Sequence, residues 1–127
     1  MVVGIGTDLI ELKRVENVLP RLTKRILTEK EFIAMPQSLK QRRLEFVAGR
    51  FAAKEAISKA MGSGIGKKCS FQDIEVLNDE WGKPVVTVSP RVTQALYGTD
   101  SVSIHLSISH SEHYALAMAV IEINHNS

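Results

Sequence analysis

The sequence predicts an α+β fold, with an antiparallel-rich sheet packed against helices, one of them long and central. Three observations predict it. The chain opens on an apolar strand. Helical periodicity then runs to residue 61, and the C-terminal half is mostly strand pattern. The 127 residues fit one domain spanning 1–127, long enough to bury a core without disulfide or metal staples.

Residues 2–8 (VVGIGTD) read as a buried strand carrying Gly4 and Gly6, and glycine inside a strand marks a bulge or a close backbone approach. Leu12, Val15 and Leu19 recur at helical spacing, and Pro20 ends that helix or starts the next turn. Residues 21–35 look mostly helical, with Thr28 as an N-cap and Glu31 three positions on. The longest pattern, 38–61, places Leu39, Phe46, Val47, Ala53, Ile57, Ala60 and Met61 on one apolar stripe. It stops at the glycine-rich loop GSGIG, 62–66. Two strands come next, at 74–77 and 84–88, joined by a turn at 79–83. A short helix at 90–97 has Pro90 at its start and Gly98 after it. Residues 102–110 alternate, with Val102, Ile104, Leu106 and Ile108 on one face and Ser103, His105, Ser107 and Ser109 on the other. Ser111 and Glu112 close a hairpin into an apolar strand at 113–123.

Composition narrows the function. At 44% hydrophobic and 24% charged residues, the chain is an ordinary globular protein. No apolar run reaches the roughly 20 residues that span a membrane, and the N-terminus reads directly as a strand rather than a secretion signal. Cys69 is the single cysteine, so no internal disulfide forms, and a cytoplasmic setting is the expectation. Its neighbours Lys67 and Lys68 do not make it a nucleophile. Net charge is +2 but unevenly spread: residues 1–60 hold 12 Lys/Arg against 7 Asp/Glu, and residues 61–127 hold 4 against 7. A basic first half suits an acidic protein, a phosphorylated small molecule or nucleic acid, or is simply a solvated helix face.

Several residues have the chemistry of a phosphate-handling metal site. Asp8, at the end of a glycine-containing strand, is either a hard-cation ligand or the N-cap of the next helix. Glu55 lies among Arg50, Lys54 and Lys59 on the long helix. One carboxylate with three cations suits a metal–diphosphate site, and Glu55 with Lys59 is equally an ordinary i,i+4 pair. His105 is either a phosphate donor or a hydrogen-bonded structural histidine. Both nucleotide fingerprints fail: the dinucleotide motif lacks its third glycine at Leu9, and the phosphate loop lacks Gly at Met61 and Ser or Thr at Lys68. His105, His110, His113 and His125 have no zinc spacing.

Three segments together resemble the holo-acyl-carrier-protein synthase group of phosphopantetheinyl transferases: GIGTDLIEL at 4–12, GRFAAKEAISKAMGSGIG at 49–66 and HLSISHSEHYALAMAVIE at 105–122. The signature positions are Gly6-Thr7-Asp8 and the helical Lys54-Glu55 followed by Lys59, and SFQDIEVLNDEWGKP at 70–84 extends the likeness. The resemblance implies a phosphopantetheinyl-transferase-like fold and transfer of phosphopantetheine from coenzyme A to a carrier serine, in support of fatty acid biosynthesis. It implies Asp8 and Glu55 as Mg²⁺ ligands, with Asp8, Glu55 and Lys59 catalytic. Arg50, Lys54, Lys59 and His105 would hold phosphates. Gly62, Gly64, Gly66, Lys83 and Pro84 would lie near the adenosine. It further implies a homotrimer with sites at subunit boundaries, and Lys13, Arg14, Arg21, Lys24 and Arg25 suit an acidic carrier protein. A metal-dependent phosphohydrolase or nuclease would use the same carboxylates but usually more of them. A nucleic-acid-binding domain ranks lower, because the 7 aromatics (4 Phe, 2 Tyr, 1 Trp) are not interleaved with basic residues.

Overall fold

In the computed structural model, which describes residues 1–124, the chain opens with strand β1 (Val2–Glu11). Helices α1 (Leu12–Asn17), α2 (Leu19–Ile26) and α3 (Glu29–Ala34) lead to the long helix α4 (Lys40–Met61). A single 3₁₀ turn, Phe71–Asp73, precedes the hairpin β2 (Ile74–Asn78) and β3 (Pro84–Val88). Helix α5 (Pro90–Tyr97) and the hairpin β4 (Val102–His110) and β5 (Tyr114–Ile123) finish the fold. His125 lies outside the described residues. The α+β expectation holds.

The strands form a three-stranded antiparallel sheet in the order β1-β5-β4 and a two-stranded sheet of β2 and β3. Helix α4 lies across one face of the larger sheet and touches all three of its strands. The glycines of β1 allow this approach. A Cβ at Gly4 would sit 1.9 Å from the Ala60 carbonyl oxygen, and one at Gly6 would sit 2.2 Å from that of Ala56. The same face continues through Ala115, Ala117, Ala119 and Ile121 of β5, all fully buried. A second apolar cluster joins Leu12 and Val15 of α1 and Ile26 of α2 to Leu44 and Val47 of α4 and to Phe71.

Some elements differ from expectation and others meet it. Strand β1 runs three residues past Asp8, because Leu9, Ile10 and Glu11 pair with Leu116, Ala115 and Tyr114. Asp8 is therefore within a strand, and the capping position of α1 is Glu11, which makes no side-chain cap bond. The helical stretch 21–35 is broken into α2 and α3 at Leu27 and Thr28, both extended, because Thr28 caps α3 in a reciprocal box with Glu31. Pro20 sits in the first turn of α2, where its missing N–H costs nothing. Helix α4 is buried on most sides from Leu44 onward rather than along one stripe, while Leu39 precedes the helix and is exposed.

Candidate active site

Strand β1 and helix α4 bring the signature residues together. Gly4, Gly6 and Asp8 alternate along β1 on its inner face, so the two glycines that let α4 come close deliver the carboxylate next to it. Asp8 Oδ1 accepts a hydrogen bond from Lys59 Nζ at 2.8 Å, and the same ammonium donates to the Thr7 carbonyl at 3.3 Å. Lys59 therefore reaches across to β1. Its side chain is 53% exposed and that of Asp8 13%, so the ammonium meets solvent while the carboxylate is largely covered. The Asp8 hydrogen bond raises the Lys59 ammonium above its ordinary range. Glu55 lies one helical turn before Lys59. Burial pushes its carboxyl upward and the negative charge of Asp8 adds to the push, with Lys59 pulling the other way.

One atom marks what is missing. Asp8 Oδ2 is buried and has no hydrogen-bond partner. A buried carboxylate oxygen without a donor is costly, and a bound cation satisfies it. With Glu55 beside it, the donor set is two carboxylates, which fits a hard divalent ion that keeps waters and substrate phosphate as its remaining ligands. Among the described residues no group of three or more His, Cys, Asp or Glu could hold a metal. That is too few acids for the two-metal phosphohydrolase alternative.

Two expected phosphate ligands are corrected. Lys54 is fully buried, and its ammonium donates to the Ile26 carbonyl at 2.5 Å, Glu31 Oε1 at 2.7 Å and the Phe71 carbonyl at 3.0 Å. All three protons are placed inside the protein. Burial pulls its pKa down, opposed by Glu31. Arg50 is buried as well. Its Nε donates to the Val76 carbonyl at 3.3 Å, an Nη donates to Asn78 Oδ1 at 3.4 Å, and the guanidinium lies 4.0 Å from the centre of the Phe46 ring. Both side chains point away from Asp8 because residues 50 and 54 share a helix face that residue 55 leaves by about 100°.

The remaining expected residues form a second group. Lys83, Pro84, Ser103 and His105 line a cleft of about 500 Å³ between the facing edges of β3 and β4. The register pairs His105 with Val120 and Val120 with Ile5, whereas Asp8 pairs with Ala117. His105 therefore lies on the sheet face opposite Asp8, where its Nε2 is 3.1 Å from Glu122 Oε1. Within one chain the two groups do not meet. Gly62, Gly64 and Gly66 form an open loop just after Lys59. Gly62 ends α4 with φ +81°, and a Cβ on any of the three would meet nothing within 4 Å. Cys69 is buried with its thiol pushed up to about 11 by burial, an unreactive thiol.

The basic residues Lys13 and Arg14 on α1 and Arg21, Lys24 and Arg25 on α2 are all exposed. Sequence reading missed the apolar groove beside them. Leu9, Val18, Leu22, Phe51 and Tyr114 line it, with Arg14 at its edge, in a volume of about 400 Å³. Its signal was Val18 and Leu22, one helical turn apart among the cations.

The sequence model of the 4'-phosphopantetheinyl transferase superfamily matches residues 4–119. A holo-[acyl-carrier-protein] synthase of Anoxybacillus flavithermus is 50% identical over 125 residues, covering 96% of this chain and 97% of that protein. One from Bacillus mycoides is 52% identical over 126 residues, covering 96% and 97%. The crystal structure of a holo-(acyl-carrier-protein) synthase from Bacillus anthracis in complex with CoA (3',5'-ADP) superposes with a TM-score of 0.85. It is 49% identical and covers 98% of this chain and 99% of that one. The Helicobacter pylori enzyme in complex with coenzyme A superposes with a TM-score of 0.80 at 31% identity, covering 93% and 99%. The family model over residues 4–119, relatives about half identical along nearly the whole chain and a shared fold show that this chain belongs to the holo-[acyl-carrier-protein] synthase family of 4'-phosphopantetheinyl transferases.

Proposed function

We propose that this chain transfers the 4'-phosphopantetheine arm of coenzyme A to a serine of apo-acyl carrier protein, releasing adenosine 3',5'-bisphosphate. The observation that carries it is Asp8, with one oxygen held by Lys59 and the other buried without a partner beside Glu55. The names and bound ligands of the relatives support the same chemistry. Residues 1–127 act as one transferase domain.

Asp8 and Glu55 would hold Mg²⁺, which when bound would supply charge neutralisation for the diphosphate. Lys59, with its side chain half exposed, binds phosphate oxygens and stabilises the charge growing on the leaving group. The serine oxygen attacks the phosphorus bearing pantetheine, and the bond from that phosphorus to the bridging oxygen breaks. The bridging oxygen takes the electron pair and leaves with adenosine 3',5'-bisphosphate. Glu55, whose carboxyl burial and Asp8 make more basic, takes the serine proton through a water.

The opposed positions of Asp8 and His105 support a site completed by a second copy. The sheet face away from α4 exposes Ile5, Leu9, Leu116 and Met118, more apolar than a solvated face needs to be. Such a face supports self-association, and a homotrimer is the form the family resemblance implies. His105, Lys83 and Pro84 of one copy then serve the adenosine end of coenzyme A bound at Asp8 of the next. Lys13, Arg14, Arg21, Lys24 and Arg25 dock an acidic carrier and mainly raise its on-rate. No helix among the described residues is long and apolar enough to cross a membrane. The reaction belongs in the cytoplasm and serves fatty acid biosynthesis.

Intact-mass spectrometry of apo-carrier incubated with enzyme, coenzyme A and Mg²⁺ tests this. The carrier is expected to gain one phosphopantetheine. Chelation of the cation should stop the gain, and Asp8→Ala or Glu55→Ala should slow it by roughly 10²-fold or more with native circular dichroism retained. An unchanged carrier mass with active reagents would sink the proposal.

A further inference from the structure

Lys54 and Glu31 form a fully buried ion pair that the proposed chemistry does not use. Glu31 Oε1 accepts from Lys54 and from the Thr28 backbone N–H at 2.8 Å, and Oε2 accepts from the Val76 N–H at 2.7 Å. Thr28 Oγ1 in turn donates to Glu75 Oε2 at 2.7 Å. Together with the Ile26 and Phe71 carbonyls, this network ties one point of α4 to four other segments. They are the end of α2, the start of α3, the 3₁₀ turn and β2. A buried ion pair is weak grounds for stability, since apolar replacements are often as stable. What such a network supplies is direction.

We propose that the Lys54/Glu31 pair is a positioning clamp that fixes the rotation of α4, so that Glu55 and Lys59 face Asp8. The inference rests on the reading of Asp8, Glu55 and Lys59 as the transfer site. The opposite side of α4 meets β1 through small residues. There Ala56 and Ala60 lie directly on Gly4 and Gly6, a contact without protruding side chains. It sets the separation of helix and strand but offers little resistance to turning. Glu55 follows Lys54 by about 100° around the helix. A turn of about 20° would swing a carboxylate roughly 6 Å from the axis by about 2 Å. Displacements of that size cost on the order of 10²-fold in a reaction that depends on alignment.

The test compares wild type with the paired variant Glu31→Gln/Lys54→Gln, which removes both charges while keeping polar heads for the carbonyls and N–H groups. Thr28→Ala is the milder companion, loosening Glu31 and leaving the ion pair in place. All are assayed with coenzyme A, apo-carrier and Mg²⁺ at a temperature where circular dichroism shows native helix content. The clamp predicts a kcat at least about tenfold lower in the paired variant, with a smaller loss in Thr28→Ala. The KM for carrier should change less than kcat. Calorimetric affinity for Mg²⁺ in the presence of coenzyme A should weaken in the same order. A folded paired variant with wild-type kcat and cation affinity overturns the clamp. So does a paired variant that fails to fold while Thr28→Ala is fully active, because the network then serves stability alone. Absence of transfer by wild type would instead count against the proposed function.

Discussion

Glu55 carries two demands that oppose each other. Burial and the charge of Asp8 raise its pKa in the folded chain, so the protonated form contributes stability at low pH. That contribution is lost as pH rises through the raised value. Holding a cation requires the ionised form. The acidic limb of the rate profile is therefore expected above the ordinary glutamate range, and saturating Mg²⁺ should move it to lower pH by favouring the carboxylate. Rate profiles at low and saturating Mg²⁺ check this, and a limb that ignores the cation would contradict the assignment. Residue type and spacing singled out Asp8, Glu55 and Lys59, and the fold brings the three together; helix periodicity alone puts Glu55 and Lys59 on one face. It could not separate Lys54 from them. Lys54 sits next to Glu55 in sequence, yet its ammonium is enclosed by Glu31 and two carbonyls from distant segments.

At the scale of elements, the contact of α4 with β1 sets the geometry of the site. A methyl at Gly6 would have to push away the Ala56 backbone, which a helix of 22 residues cannot yield locally. Gly6→Ala is expected to cost about 2–3 kcal/mol of stability, as overpacked cores do. It should also lower activity in the folded fraction, because the shift carries Glu55 and Lys59 away from Asp8. Chemical denaturation beside single-turnover assays separates the two effects, and wild-type stability would show the contact to be soft. Most element boundaries were legible from local signals: Pro20 and Pro90 at helix starts, Gly62 and Gly98 at helix ends, and the strict alternation of β4. The break between α2 and α3 was also implied by the Thr28 cap, since an N-cap residue is extended and no helix runs through it. The length of β1 was not legible, because its last three residues are strand only through pairing with β5.

For the whole molecule, the exposed apolar sheet face is where the proposed self-association would occur. Met118→Glu places a charge in the middle of that face and is expected to lower the assembled mass in sedimentation equilibrium. Transfer should fall with it, because Asp8 and His105 of one chain lie on opposite faces. An unchanged assembly with the charge in place would remove this face from self-association. On β5, Leu116 and Met118 are exposed on that face and Val120 is partly buried, while Ile121 is buried on the α4 side.

The sequence by itself determined the α+β class and the order of the elements, and it singled out Asp8, Glu55 and Lys59 as candidates. Each comes from composition, from local periodicity or from motif spacing. Only the tertiary structure decided which cations are free to meet a phosphate, that an Asp8 oxygen is left without a donor, and that His105 faces away from it. These depend on burial and on contacts such as Lys59 with Asp8, 51 residues apart, which no local pattern encodes.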